Sequence, residues 1–217
     1  MIPDVTVDAD SEAVVVRAER TLRAVSSVIV GGGLTEARAI LNLHVPKGFR
    51  CEHSEDLLAE FARRRAIAPG FVGLLTGALT EQAELAEERR GDLVACAVVT
   101  VGLSNRSAAG RSAVAVWRPS TINTIVVVDA DPEAAALVNL VISATEAKVL
   151  ALAEAGVRSA EGGLITGTST DAIVVAATGR GPRCRFGGPL SELGWLVAHT
   201  VKSALDTAVA RWVAEHR

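Results

Sequence analysis

The chain lacks the features that mark extracellular, nucleic-acid-binding or metal-binding proteins. Its 217 residues include no tyrosine and only three cysteines, Cys51, Cys96 and Cys184, which lie far apart. An odd and widely spaced set of cysteines predicts neither a disulfide framework nor a paired-cysteine metal site. The net charge of -3 gives no extended basic surface, so we expect no binding to nucleic acid or to an anionic membrane.

Targeting and membrane-spanning segments are also missing from the sequence pattern. The first ten residues lack the basic and apolar regions of a secretory signal peptide. No run of about 18 uncharged apolar residues, the length of a membrane-spanning helix, is present. With 49% hydrophobic and 22% charged residues, we expect a cytoplasmic globular protein. Its length suits one domain over residues 1–217.

Three segments are almost continuously apolar, namely Leu93–Val101, Ile125–Val128 and Ile173–Ala177. Strands that do not alternate between apolar and polar residues are covered on both faces, so these three predict interior members of a sheet. The strongly charged segment Thr80–Gly91 instead predicts a solvated helix or turn.

Three helices complete the predicted fold. The first extends from Ser54, a candidate N-cap, through Arg65. Asp131–Glu133 opens the longest one, with proline in its first turn, and Gly156 lies past its end. This helix is apolar around most of its circumference, which indicates burial. A final helix begins near Ser191. Together the segments predict a single layered α/β domain, with a central mixed sheet or two stacked sheets flanked by helices.

Small polar residues cluster inside or just before the apolar elements. They occupy Ser120–Asn123, Asn139–Lys148 and Thr166–Asp171. A buried polar group costs free energy unless it is paired, so a chain gains little by clustering such groups without a use. These three segments are therefore candidates for a functional site.

On the long helix, Asn139, Ser143 and Glu146 have the spacing i, i+4 and i+7 and so share one face. Apolar surroundings raise the pKa of a carboxyl group, which suits Glu146 to act as a base or acid near neutral pH. The alternative is a structural stripe that pairs with a loop, with Lys148 or with Arg158.

The segment Thr166–Asp171 can supply hydrogen-bond donors and a carboxylate. Hydroxyl and backbone groups of Thr166, Thr168 and Thr170 could hold a carbonyl oxygen. Asp171 could orient or deprotonate a water molecule. The alternative is a Ser/Thr or Asx turn that merely begins a strand.

Three further polar residues lie at strand ends. Asn105 and Asn123 could bind carboxamides of a substrate, and equally could cap turns. His44 precedes Pro46 and is the best-placed histidine for catalysis. No two histidines have metal-ligand spacing, so we predict no protein-bound metal.

Nine short motifs along the chain resemble, in their sequence order, those of the adenosylcobinamide amidohydrolase family of cobalamin salvage. No one of them is specific, and the resemblance depends on their order and spacing along nearly the whole chain. The motifs are Gly31–Gly33, Asn42–Val45, Gly73–Thr76, Val101–Asn105, Ser120–Asn123, Asn139–Lys148, Gly156–Ser159, Thr166–Asp171 and Ser191–Gly194.

The resemblance implies hydrolysis of the amide that joins aminopropanol to the corrin ring of adenosylcobinamide, with adenosylcobyric acid as the product. The cobalt belongs to the substrate, so no cofactor is implied. The implied partner is a corrinoid, and the sequence is compatible with a homo-oligomer without specifying one. Catalysis is then expected from Glu146, Asp171 and His44. The residues expected to bind the substrate are Asn105, Asn123, Asn139, Ser143, Thr166, Thr168 and Thr170.

Two departures from the family pattern affect the mechanism. The family leads us to expect a histidine shortly before Leu193-Gly194, which this chain lacks, and a glycine where Ser120 stands. His44 or Glu192 would then replace the missing histidine. The alternative function is a corrinoid carrier or sensor without turnover.

The sequence also predicts which residues lie close together in space. We expect Glu146 and Asp171 to meet at one pocket, because Asp171 begins a central strand and Glu146 lies on the helix that packs against that sheet. Asn105 and Asn123 should border the same cavity, since ligands bind at strand ends in layered α/β folds.

Overall fold

A computed structural model describes residues 2–46, 49, 51–114 and 120–216. Within these residues it has three α-helices and twelve strands. The helices are α1 (Ser54–Arg64), α2 (Ala134–Glu154) and α3 (Glu192–Glu215). The strands are β1 (Val5–Ala9), β2 (Ala13–Ser26), β3 (Gly33–His44), β4 (Val72–Thr76), β5 (Glu84–Arg90), β6 (Leu93–Val101), β7 (Arg106–Ser107), β8 (Ile122–Asp129), β9 (Asp131–Pro132), β10 (Gly167–Thr168), β11 (Ala172–Ala177) and β12 (Arg183–Cys184).

Eight of the strands form one mixed sheet in the order β4-β3-β2-β11-β8-β6-β5, with β1 paired to β2. The pairs β3–β4 and β8–β11 are parallel, and the other pairs are antiparallel. Strands β6, β8 and β11 are interior, which confirms the prediction made from their continuous apolar sequence. Two short ribbons, β7–β10 and β9–β12, lie outside this sheet.

The large sheet folds over so that its two ends face each other. Asn42 Nδ2 of β3 donates to Thr100 Oγ1 of β6 at 3.0 Å, although three strands separate β3 from β6 in the sheet order. In a flat sheet those strands would be about 19 Å apart, at about 4.8 Å per strand. Strand β2 lies between β3 and β11, and its pairing with β3 shifts register between Arg17 and Leu22.

The hydrophobic core follows these layers. Val14, Ile40 and Leu74 face Ile125 and Val174 between the two halves of the sheet. The opposite face of β6, β8 and β11 packs against α2 and α3, and the opposite face of β2 and β3 packs against α1. The predicted layered α/β domain with a central mixed sheet flanked by helices is confirmed.

The prediction for Thr80–Gly91 is wrong. A short 3₁₀ turn, Thr80–Gln82, is followed by the strand β5 at the end of the sheet order. An edge strand is half solvated and tolerates charged side chains, so the charge of this segment misled the assignment. Glu84 of β5 also forms an ion pair with Arg211 of α3, which binds the edge strand to the helix above it.

The start of α3 and the end of α2 agree with the sequence, but α2 begins only at Ala134. Pro132 lies in β9 and Glu133 is the N-cap, so the prediction of proline in the first turn of α2 is wrong. Gly156, at a φ of 70°, follows α2 in a conformation that glycine adopts without strain. Ser191 caps α3 by accepting a hydrogen bond from the Gly194 N–H at 3.1 Å. By length and composition α2 could cross a membrane, but 44% of its apolar stretch is buried inside the protein, where it packs against α3 and β11.

Candidate active site

The starts of β8 and β11 lie side by side at one end of the sheet. These strands are parallel, with Ala172 opposite Asn123. The polar segments that precede them, residues 120–121 and 166–171, therefore meet at the same edge. Since α2 crosses over β11, its side chains can reach this edge from above.

Asp171 is the centre of this meeting point. Its carboxylate accepts hydrogen bonds from the Ile122 N–H at 3.0 Å and the Thr168 N–H at 3.1 Å. It also accepts one from the Thr168 hydroxyl and forms an ion pair with Lys148 of α2. A carboxylate has about four acceptor positions, so these four donors occupy all of them. Asp171 is therefore held in one fixed position.

The Lys148–Asp171 pair is mostly buried, with side chains that are 14% and 15% exposed. Gly167 leaves the space that the pair occupies. A Cβ atom on Gly167 would overlap Asp171 Oδ2 and would lie 2.8 Å from Lys148 Nζ, both closer than non-bonded atoms approach. The absence of a side chain at Gly167 is thus a geometric requirement of the ion pair.

A cavity of about 220 Å³ opens beside this ion pair, lined by Ser27, Thr124, Thr145, Lys148, Asp171 and neighbouring apolar residues. The Lys148 ammonium has three N–H donors. Its hydrogen bond to Asp171 is the only one it makes within the described part of the chain. Donors therefore remain for a ligand, and a cation in a small, partly apolar cavity can stabilise negative charge on a carbonyl oxygen.

The expectation that Glu146 shares a pocket with Asp171 requires correction. Glu146 is exposed and does not line the cavity. Each residue of an α-helix turns the side-chain direction by about 100°, so Lys148 lies about 200° around α2 from Glu146. The residue that reaches the strand ends is therefore Lys148, and the predicted catalytic role of Glu146 stays a prediction.

Sequence reasoning gave Lys148 only a structural role, although the sequence contains a signal for it. Val141, Ala144, Lys148 and Ala151 follow the spacing of a buried helical stripe. Ala144 and Ala151 are buried and Val141 is partly buried. A lysine in such a stripe needs a charged partner nearby, because an unpaired buried ammonium is costly.

A second polar group lies at the start of β8 and the end of β6. The Ser120 hydroxyl accepts the Ser104 N–H at 2.9 Å and lies 3.0 Å from the Ser104 hydroxyl. Asn105 Nδ2 donates to the Ser169 hydroxyl at 2.7 Å. These contacts tie the loop after β6 to the segment that carries Asp171. Asn105 does not line the cavity beside Asp171, contrary to the spatial prediction.

Asn123 belongs to a buried network rather than to the cavity. Its amide donates to Asn42 Oδ1 at 2.7 Å and to the Leu75 carbonyl at 2.9 Å. Its Oδ1 lies 3.1 Å from the Thr121 hydroxyl. Asn123 is 1% exposed and its donors are used inside the protein. This network joins the two folded-over halves of the sheet directly behind the site.

The other predicted threonines brace the loop that holds Asp171. The Thr166 hydroxyl accepts the Ala109 N–H at 2.9 Å, and the Thr170 carbonyl accepts the Thr121 hydroxyl at 2.7 Å. Of the three, Thr168 is the one that contacts Asp171 directly. The segment is thus a turn that also positions the Asp171 carboxylate for its ion pair with Lys148.

Four more predicted residues lie away from the ion pair. Asn139 bonds to the Ala135 carbonyl within α2, and the buried Ser143 donates to the Gly187 carbonyl at 2.9 Å. His44 Nδ1 lies 2.8 Å from the Ala78 carbonyl oxygen, and Glu192 is exposed at the start of α3. None of the four lines the cavity beside Asp171.

Within the described residues, no group of three or more histidine, cysteine, aspartate or glutamate side chains is arranged to hold a metal ion. The charges that the structure places at this cavity are those of Lys148 and Asp171. The chemistry available there is hydrogen bonding and charge stabilisation by an ammonium group, together with the hydroxyl groups of Thr124 and Thr145.

Comparison with known proteins gives one family. The family described as CbiZ, adenosylcobinamide amidohydrolase, matches residues 2–217. A curated protein named adenosylcobinamide amidohydrolase, from Methanosarcina mazei, is 34% identical over 163 residues, which cover 75% of this chain and 72% of that protein.

Two solved structures resemble the fold at low sequence identity. The PH0078 protein from Pyrococcus horikoshii OT3 has a TM-score of 0.47 and 14% identity, over 97% of this chain and 80% of that one. A Burkholderia sp. beta-aminopeptidase has a TM-score of 0.45 and 15% identity, over 93% of this chain and 80% of that one.

Proposed function

Since the chain belongs to the adenosylcobinamide amidohydrolase family, we propose that it hydrolyses the aminopropanol amide of adenosylcobinamide. The products would be adenosylcobyric acid and aminopropanol. Water adds to the amide carbonyl, the carbon–nitrogen bond of the tetrahedral intermediate breaks, and the amine leaves with a proton. The reaction would serve corrinoid salvage or remodelling.

The Lys148 ammonium at the cavity is the observation that supports this proposal most strongly. Amide hydrolysis places negative charge on the carbonyl oxygen in the transition state, and a fixed cation beside that oxygen lowers the barrier. Asp171 fixes the position of the Lys148 ammonium at the cavity. Because four donors surround the Asp171 carboxylate, we assign it the positioning of Lys148 before any role as a base.

The cavity beside Lys148 is far smaller than a corrin macrocycle, at about 220 Å³. We therefore propose that only the side arm carrying the scissile amide enters it, while the ring stays outside. The exposed side chains of Val138 and Ile142 on α2 give the neighbouring surface an apolar character that suits a macrocycle. No protein-bound metal has a part in this proposal, and cobalt arrives with the substrate.

Incubation of the purified protein with adenosylcobinamide, followed by mass spectrometry, tests the proposal. We expect adenosylcobyric acid to accumulate in proportion to enzyme and time. The rival function, a corrinoid carrier or sensor, predicts that adenosylcobinamide is bound and recovered intact. Equilibrium binding measured in the same preparation separates a carrier from a protein that does not recognise corrinoids at all.

A further inference from the structure

A second cavity lies close to the Lys148–Asp171 pair and has no role in the mechanism above. Its volume is about 500 Å³, and its polar lining comes from Arg106, Arg111, Ser112, Ser159 and Glu161. It is formed by the segment that carries β7 and by the turn that follows α2. Both are exposed, so a ligand can reach the cavity from solvent.

The charges in this cavity favour an anion. No carboxylate within the described ranges forms an ion pair with Arg106 or Arg111. The Arg106 guanidinium carbon lies 5.9 Å from the centre of the Trp212 ring, a contact that leaves its N–H donors available. Two guanidinium groups thus border a cavity with one acidic side chain.

That acidic side chain is already engaged. Hydrogen bonds from its own backbone N–H and from the Ser159 hydroxyl lower the pKa of Glu161. Glu161 is therefore an anion held on its own turn, and it offsets one of the two arginines. The Ser112 hydroxyl accepts the Ala108 N–H at 2.9 Å, which leaves its proton to be donated. The cavity has a net positive charge and a surplus of donors.

The second cavity is connected to the candidate active site through the β7–β10 ribbon. Arg106 of β7 is the antiparallel partner of Thr168 in β10, and Thr168 holds the Asp171 carboxylate. The backbones of such partners are about 5 Å apart. Arg106, which lines the second cavity, is therefore one strand away from the residue that holds the Asp171 carboxylate.

We propose that this cavity binds a phosphate group carried on the same side arm as the scissile amide. The inference rests on the proposed function and extends it to the substrate: corrinoids phosphorylated on the aminopropanol arm are preferred over unphosphorylated adenosylcobinamide. Paired N–H donors of guanidinium match two oxygens of a phosphate, and such charge-assisted bonds are among the strong ones. One substrate would contact both the arginine-lined cavity and the loop that holds Asp171, because the β7–β10 ribbon joins them.

Parallel kinetics on adenosylcobinamide and its phosphate monoester test the preference. The wild-type protein should show a KM for the phosphate ester that is lower by about tenfold or more, because two charge-assisted contacts are added. The difference should shrink as salt concentration rises. Equal KM values for the two corrinoids at low salt would overturn the proposal.

A double variant, Arg106→Gln with Arg111→Gln, should lose this preference and keep wild-type turnover of adenosylcobinamide. Arg20→Gln serves as the matched control, because Arg20 is an exposed arginine on β2, outside the lining of this cavity. A double variant that retains the preference would contradict the assignment of these two arginines. Circular dichroism of each variant verifies that it is folded.

Calorimetric titration with inorganic pyrophosphate provides a measurement that does not depend on turnover. We expect binding to the wild-type and Arg20→Gln proteins, and none to the double variant. Absence of pyrophosphate binding, together with equal KM values, would refute the phosphate site even if adenosylcobinamide is hydrolysed. Conversely, pyrophosphate binding without any amide hydrolysis would support the site and refute the proposed function.

Discussion

The Lys148 ammonium and the Asp171 carboxylate form an ion pair between the middle of α2 and the loop that begins β11. Two layers of the fold are thereby joined at the mouth of a cavity. The pair is enclosed on the carboxylate side by Thr168 and by the backbone N–H of Ile122. Its ammonium side borders the cavity, which is the side that a substrate can approach.

Replacement of Lys148 tests the role of the cation. We expect Lys148→Met to lower turnover by about 100-fold or more, the usual effect of removing one donor to a developing oxyanion. It should also lower the free energy of unfolding by roughly 3 kcal/mol, because Asp171 is left as an unpaired buried charge. Lys202→Met is the control, since Lys202 forms solvated ion pairs with Glu154 and Asp206. Equal activity of the two variants would refute the role of Lys148.

Gly167→Ala tests the geometry of the pair without changing any charge. The added Cβ would overlap Asp171 Oδ2, so the carboxylate and the ammonium must move apart. We expect turnover to fall by about tenfold or more, since small displacements of a catalytic group are costly. Gly188→Ala is matched to it, because a Cβ on Gly188 meets no atom within 4 Å. A Gly167→Ala protein with wild-type kcat would show that the pair need not be placed precisely.

Glu146→Gln tests whether Glu146, the base predicted from the sequence, has a catalytic role although Lys148 is the α2 residue with a charge at the cavity. Glu146 is exposed and lies outside the lining of the cavity, so we expect kcat to stay within about twofold of the wild type, as for most exposed positions. Steady-state kinetics on adenosylcobinamide provides the measurement. A large loss of kcat with unchanged corrinoid affinity would restore Glu146 as the catalytic base.

Cys96 predicts a pH dependence of stability in the alkaline range. Burial, with a further contribution from the charge of Glu87, raises the pKa of the Cys96 thiol from its ordinary value of 9.0 to about 11. Between these two values the folded protein keeps a proton that the unfolded chain releases. The resulting stability is complete below pH 9 and is lost as the pH rises towards 11.

Denaturant unfolding between pH 8 and 11 measures this contribution. The free energy of unfolding of the wild type should fall by on the order of 2 kcal/mol more than that of Cys96→Ala across this range. Comparing how steeply the free energy of unfolding falls with pH in the two proteins cancels the pH-independent loss of stability that the smaller alanine side chain causes. Parallel pH profiles for the two proteins would show that the thiol pKa is not shifted in the fold.

Local sequence patterns predicted the interior strands and the long helices because those elements depend on continuous apolar sequence and on end signals such as Ser191 and Gly156. Strand β5 was missed because a half-solvated edge strand has the composition of a surface helix or turn. The fold-over of the sheet could not be predicted from local sequence patterns either, because it depends on contacts between distant parts of the chain. The buried hydrogen bond between Asn123 and Asn42 is one such contact.

The site was predicted in part. The sequence placed Asp171 at a strand start, and burial of polar residues there followed from the cost of leaving them unpaired. The spacing of Asn139, Ser143 and Glu146 predicts that the polar face of α2 lines the site, with Glu146 as the partner of Asp171. The structure instead directs Lys148 inwards from the buried stripe. Only the packing of α2 on β11 decides which side of the helix meets the strand ends.

Hydrolysis of adenosylcobinamide in water enriched in oxygen-18 tests the central claim most directly. Addition of water to the amide carbonyl should leave one heavy oxygen in the carboxylate of adenosylcobyric acid and none in the released aminopropanol. Mass spectrometry of both products, compared with the Lys148→Met protein, makes the measurement. The account predicts labelled adenosylcobyric acid from the wild type and very little from the variant. Adenosylcobinamide recovered intact from the wild type, or aminopropanol that carries the heavy oxygen, would contradict it.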